Sequence, residues 1–123
     1  MNPRPMIVDT NALVYLVEKK AFNQLKVLTP DIREAIVTKS VIMELEGLTR
    51  SISGKNKFGL SLSLAKTLTL YNSKGEGDDA IISSARELGG CVLTNDKALK
   101  SRLRDCGIPV YSVSKGGRII SSR

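Results

Sequence analysis

The sequence predicts an α/β fold in which a central parallel β-sheet is covered by helices on both faces, a three-layer α/β/α sandwich. Short apolar runs, Met6-Ile7-Val8, "AIVTKS" (residues 35–40) and Cys91 to Thr94, alternate with longer stretches of helical periodicity. Strands separated by helices form βαβ units, whose strands lie parallel and buried on both sides. Acidic residues recur just after the apolar runs, where open α/β sheets place their ligand sites.

Met6-Ile7-Val8 reads as a buried strand ending at Asp9, and "NALVYLVEKK" then puts Leu13, Val14 and Val17 on one helical face. After a turn around Pro30, "AIVTKS" is a second strand and "VIMELEGL" a helix with Val41, Leu45 and Leu48 in register. "SISGKNKFG" has the Ser, Gly and Lys content of an exposed loop. "LSLSLAKTLTLY" reads as helix, although its alternation of Leu with Ser or Thr also suits a strand. "KGEGDD" opens a helix that runs to Leu88, followed by strand 91–94, helix 96–105 and strand "PVYSV". Gly107 closes the last helix, and Pro109 cannot extend it. Residues 113–123 are expected to form a basic, mobile tail to a single domain spanning 1–123.

A chain of 123 residues suits one core. Its apolar runs are too short to span a bilayer, and "MNPRPMIVDT" lacks a signal-peptide core, so a cytoplasmic protein with no membrane partner is expected. Cys91 and Cys106 are too few for a disulfide framework and read as buried thiols. The chain has no histidine, which excludes imidazole acid–base chemistry, Ser-His-Asp triads and most zinc sites. Neither common glycine-rich phosphate loop occurs. Any catalysis must therefore use carboxylates, hydroxyls, lysines or a metal.

Asp9 follows the first strand, Glu44 lies in the helix after the second, Asp78 and Asp79 open the helix leading to strand 91–94, and Asp96 lies just beyond it. Taken singly, the aspartates read as helix caps or first-turn acids, and Glu44 as a solvated helix residue. Together they converge on one rim of one sheet, where unpaired carboxylates repel each other and raise one another's pKa. A divalent cation relieves that repulsion, and ligands that are all oxygen select hard ions, Mg²⁺ or Mn²⁺. At about 100° per residue, Glu44 borders the apolar face of its helix while Glu46 lies further toward solvent. The same count puts Asp78 on the inward face with Ile81, Ile82, Ala85 and Leu88, and Asp79 away from it; helix starts are irregular enough to keep Asp79 as a second candidate.

"IVDTNALVYL", "VTKSVIMELEGL" and "DDAIISSARELGGCVLTNDKAL" resemble the PIN-domain ribonucleases over residues 5 to 112, most specifically in their order, spacing and terminal Thr-x-Asp. The resemblance implies a metal-dependent RNA phosphodiesterase whose acidic tetrad falls on Asp9, Glu44, Asp78 and Asp96. Asp79 is an additional ligand candidate, and Asn11, Ser40 and Thr94 match supporting polar positions. Asp9 and Asp96 would hold the primary ion, one of one or two, with Glu44 and Asp78 completing its shell partly through water. The run "GGCVLTNDKALKSRLRDCGIPVYSV" looks more like the PIN proteins that process ribosomal RNA than like the VapC toxins. The implied partners are RNA, in particular a ribosomal RNA precursor, a second copy of the chain, and either ribosome assembly proteins or an antitoxin.

Charge supports a polyanion partner. Net charge is +7; with Asp9, Glu44, Asp78, Asp79 and Asp96 set aside, seven acids remain against 19 Lys and Arg, a surround of +12. A small acidic site in a basic surround is the pattern of a nuclease. Lys97, Lys100 and Arg104 share the outward face of the last helix, and Arg50, Lys55 and Lys57 flank the "SGKNKFG" loop; both groups are RNA-binding candidates as well as ordinary solvated faces. Phe58 is placed to stack on a base or to pack, whereas Tyr15, Phe22, Tyr71 and Tyr111 are expected to pack. A non-catalytic RNA-binding assembly factor is the main rival; its usual mark, loss of a tetrad acid, is absent. A receiver-type phosphotransfer domain would need acids paired near Asp9, which are also absent.

Overall fold

A computed structural model describes residues 3–50 and 55–122. Its strands are β1 (Arg4–Val8), β2 (Ile32–Thr38), β3 (Thr69–Tyr71), β4 (Cys91–Leu93), β5 (Val110–Val113) and β6 (Ile119–Ser122). Its helices are α1 (Thr10–Glu18), α2 (Lys39–Arg50), α3 (Lys55–Lys66), α4 (Gly77–Leu88) and α5 (Lys97–Asp105), with one 3₁₀ turn at Phe22–Leu25.

The strands form one sheet in the order β3-β2-β1-β4-β5-β6. All pairings from β3 to β5 are parallel, and β6 runs antiparallel to β5. The result is a mostly parallel sheet flanked by helices, the α/β architecture expected, with one antiparallel edge. β1 and β4 lie in its centre, and Met6, Ile7, Val8, Val92 and Leu93 are fully buried, as strands covered on both faces must be. Leu13 and Leu16 of α1, Leu45 of α2, Ile81 of α4 and Leu99 and Leu103 of α5 complete the core at helical spacing. The edges, β3 and β6, are three and four residues long, too short to template pairing with another chain.

Three expectations are corrected. The "SISGKNKFG" loop is helical from Lys55 onward; residues 51–54 lie outside the described residues. The helix expected through Tyr71 ends at Lys66, and its last residues form β3, because an edge strand needs only one buried face and Leu-Thr alternation provides that. The expected mobile tail contains β6, held by its ladder to β5 and by Arg104, which donates to Ser122 Oγ at 3.2 Å. Gly107 does close α5: at φ 72°, its N–H reaches Arg104 O at 2.9 Å while that of Ile108 reaches Leu103 O at 2.9 Å. Cys91 is buried, and desolvation pushes its thiol up to about 11; Cys106 is only half-buried.

Candidate active site

Chain direction across the sheet reverses at β1: β2 and β3 extend to one side, β4 and β5 to the other. The carboxyl ends of β1 and β4 are thus the switch point where such sheets bind ligands. Val8 pairs with Leu93, so the next residues, Asp9 and Thr94, leave the sheet side by side.

Asp9 is 9% exposed and caps α1, its Oδ1 accepting from Thr10 N at 2.8 Å. Oδ2 accepts from the Thr94 hydroxyl at 2.9 Å. Burial pushes the Asp9 carboxyl up to about 6; the bonds from Thr94 and Thr10 oppose the rise, while the charges of Asp78 and Glu44 add to it. Thr94 Oγ1 also accepts from Asp96 N at 3.1 Å, and Asp96 Oδ1 caps α5 by accepting from Leu99 N at 3.1 Å. Asn11 Oδ1 accepts from Asn95 N at 3.0 Å and lies 3.3 Å from the Thr94 hydroxyl. One hydroxyl therefore couples the two aspartates, and Asn11 fixes the turn between them.

Glu44 comes from α2, and its Oε1 accepts from the Thr10 hydroxyl. Ser40 lies a turn earlier on the same face, with Oγ 2.9 Å from Thr38 Oγ1, which also accepts from Val41 N at 3.3 Å. Asp78 stands in the first turn of α4, delivered by a loop in which Gly75 and Gly77 adopt φ of 83° and 57°, a backbone that only glycine takes without strain. The Asp78 carboxyl is raised above its ordinary value, first by burial and then by the Asp96 charge, against the pull of Arg102.

Asp9, Glu44, Asp78 and Asp96 all line one open cleft of about 950 Å³, together with Asn11 and Ser40. None of these four acids forms an ion pair among the described residues. Asp79 does: it turns to α5, where Arg102 meets it at 2.8 Å, and it does not line the cleft. Glu44 is exposed and Glu46 half-buried, the reverse of the expected order, because the cleft itself is open to solvent.

The donor set suits a hard divalent ion: every polar ligand candidate is oxygen, and the buried hydroxyl of Ser73 on the cleft wall has no hydrogen-bond partner. Among the described residues no three acids stand close enough to form a ready-made ion cage. They sense one another electrostatically across the cleft instead.

The cations expected to bind RNA lie elsewhere. Arg50, Lys57, Lys97, Lys100 and Arg104 do not line the cleft, and nothing is described of the Lys55 side chain. Lys97 starts the outward face of α5 as Asp96 ends the inward turn, so adjacency in sequence does not carry it into the cleft. The lining cation among the described residues is Lys39.

Sequence reasoning missed Thr10, which orients Glu44, and Asn95, whose amide exchanges two bonds with the Val113 backbone at 2.8 and 2.9 Å and ties the β4–α5 turn to β5. It also assigned Tyr15 to packing, whereas Tyr15 lines the cleft with Phe58. The available signal was the α1 face Asn11, Val14, Tyr15 and Glu18, spaced i, i+3, i+4 and i+7 from the site.

A parallel sheet with an acidic cleft at its switch point defines an α/β nuclease-like class. More narrowly, a family model described as "PIN like domain" matches residues 6–115, and the chain belongs to that family. It is 33% identical over 118 residues to Ribonuclease VapC9 of Archaeoglobus fulgidus, covering 94% of this chain and 87% of that protein. It is 34% identical over 123 residues to Ribonuclease VapC4 of Methanocaldococcus jannaschii, covering 88% of each. Among solved structures, the PIN domain endonuclease Utp24 superposes with a TM-score of 0.78 at 27% identity, over 98% of this chain and 92% of that one. No helix among the described residues is long and apolar enough to cross a membrane.

Proposed function

We propose that the protein is a metal-dependent endoribonuclease that hydrolyses RNA phosphodiester bonds, with a ribosomal RNA precursor as substrate. The observation that carries the activity is the convergence of Asp9, Glu44, Asp78 and Asp96, from four separate segments, on one cleft without a cation paired to any of them among the described residues. The ribonuclease names of VapC9 and VapC4 support it.

Asp9 and Asp96 would hold an Mg²⁺ or Mn²⁺ ion, with Glu44 and Asp78 contributing from the other walls. Bound there, a hard divalent ion supplies charge neutralisation at the phosphate and acidification of water near neutral pH. Thr94 orients Asp9 and Thr10 orients Glu44, so neither carboxylate has to reorganise as charge develops. Lys39 offers the incoming phosphate a positive charge at the rim. Water oxygen bonds to phosphorus, the bond to the 3′ oxygen breaks and that oxygen takes a proton, leaving a 5′-phosphate and a 3′-hydroxyl.

The ribosomal substrate rests on the resemblance of residues 89–113 to rRNA-processing PIN proteins. A second reading, a VapC-type ribonuclease restrained by an antitoxin, is favoured by the two VapC relatives. End-labelled ribosomal precursor and unrelated RNAs, incubated with Mn²⁺, Mg²⁺ or EDTA, test the activity against a folded Asp9→Asn variant. Metal-dependent cutting that the variant loses supports the nuclease; no cutting by wild type refutes it. Discrete cuts confined to the precursor support processing. Growth arrest on expression, abolished by Asp9→Asn, favours the VapC reading.

A further inference from the structure

The cleft extends beyond its acids. Asn11, Val14, Tyr15 and Glu18 line it along one face of α1, so that Tyr15 lies about 6 Å further along the helix axis than Asn11. Phe58 lines the same arm from α3. Each ring has an ammonium beside its face: Lys19 Nζ lies 5.4 Å from the Tyr15 centroid and Lys57 Nζ 5.4 Å from that of Phe58. A chain of this size holds roughly one or two such pairs; here both sit at one arm of one cleft, continuous with the carboxylates. Lys57 also meets Glu18 at 3.3 Å. That pair is exposed and weak, so the ammonium can exchange Glu18 for a phosphate at little cost.

We infer that this arm is a nucleobase subsite: Tyr15 and Phe58 stack on unpaired bases next to the scissile phosphate, and Lys19 and Lys57 meet the flanking phosphates. Rings and cations interleaved along a groove are the recognition chemistry of single-stranded nucleic acid, because every base has a π-face and a paired base has none free. The cleft volume lies near the upper end of the roughly 300–1,000 Å³ typical of small-ligand sites, ample for a splayed base and too narrow for a duplex. The inference rests on the ribonuclease reading and specifies its substrate as single-stranded at the cut.

The test is fluorescence anisotropy of labelled hexa-adenylate, hexa-uridylate and a blunt RNA duplex in Mg²⁺, with Asp9→Asn as the parent so that binding is read without cleavage. Phe58→Leu and Tyr15→Leu keep apolar volume and remove the ring; Phe58→Tyr and Tyr15→Phe keep the ring. Loss of one stacked base is expected to weaken single-strand binding roughly 5- to 150-fold in each Leu variant, with the aromatic variants near parental. In the cleavage-competent protein the Leu variants should raise KM and leave kcat within about threefold. Leu and aromatic variants that bind alike, or a duplex bound as tightly as the single strands, overturn the subsite and leave the arm as an apolar surface for a protein partner. Cleavage with an unchanged KM sinks the subsite alone, whereas ring-dependent binding without any cleavage by wild type sinks the ribonuclease reading alone.

Discussion

Replacing Asp9 by Asn should make the metal-free protein more stable at neutral pH while removing its activity. The Asp9 carboxyl is pushed from 3.8 to about 6 by burial. At about 1.36 kcal/mol per pH unit, ionising it inside the fold costs about 3 kcal/mol. The sign follows from linkage: the folded pKa lies above the unfolded one, so the penalty is absent below about pH 3.8, grows between 3.8 and 6, and is constant above. Asn avoids it and keeps the local bonds. Its Oδ1 can still accept from Thr10 N, and its amide can donate to Thr94 Oγ1, whose own proton then turns to Asn11 Oδ1 at 3.3 Å. Urea unfolding in EDTA should therefore show Asp9→Asn more stable by about 1 to 3 kcal/mol at pH 7.5, the lower end allowing for imperfect bonding by the new amide. In thermal melts this is a rise of several degrees, at about 4 °C per kcal/mol for a chain of this size. Near pH 4 the two proteins should coincide. A variant less stable than wild type at pH 7.5, or a difference that does not shrink as pH falls, refutes the claim that Asp9 is a strained ion held for function.

Adding Mn²⁺ or Mg²⁺ should stabilise wild type by about 2.7 kcal/mol at 100 times its Kd and leave Asp9→Asn nearly unchanged; the gain should fall below pH 6 as protons compete for Asp9, read by melting temperature against pH. Asp78→Asn should reduce cleavage at least a hundredfold, whereas Asp79→Asn should change it less than about fivefold and cost under about 1 kcal/mol, since its partner Arg102 is an exposed surface ion; initial rates and urea melts decide both. Thr94→Val should cost about 1–3 kcal/mol by stranding the Asp96 N–H and Asp9 Oδ2, while Thr94→Ser should stay near wild type in both stability and rate. Asn95→Ala, which severs the link to Val113, should lower kcat more than it raises KM, because it loosens the turn carrying Asp96.

Much of the site was legible because two local rules coincide. Caps and ligand sites of a parallel sheet both fall just after strands, so Asp9 and Asp96 stood out as acids closing apolar runs, and helical phase separated Asp78 from Asp79. Helical phase failed for Glu44 and Glu46, because it measures position around one helix and knows nothing of the space opposite. The RNA-binding cations were misplaced for the same reason: Lys97, Lys100 and Arg104 do share a face of α5, but which wall that face meets is a long-range fact.

By itself, the sequence determined the alternation of strand and helix, the positions of the turns, the absence of imidazole chemistry and the oxygen-only character of the site. Periodicity and residue type encode these locally. Only the tertiary structure decided that Thr94 joins Asp9 to Asp96 from 85 residues away in the chain, that Thr10 holds Glu44, and that Arg102 draws Asp79 aside. It also brought Tyr15 and Phe58 into the same cleft as the acids. Each of these is a contact between segments remote in sequence, set by strand order and helix packing, and no local pattern of side chains contains it.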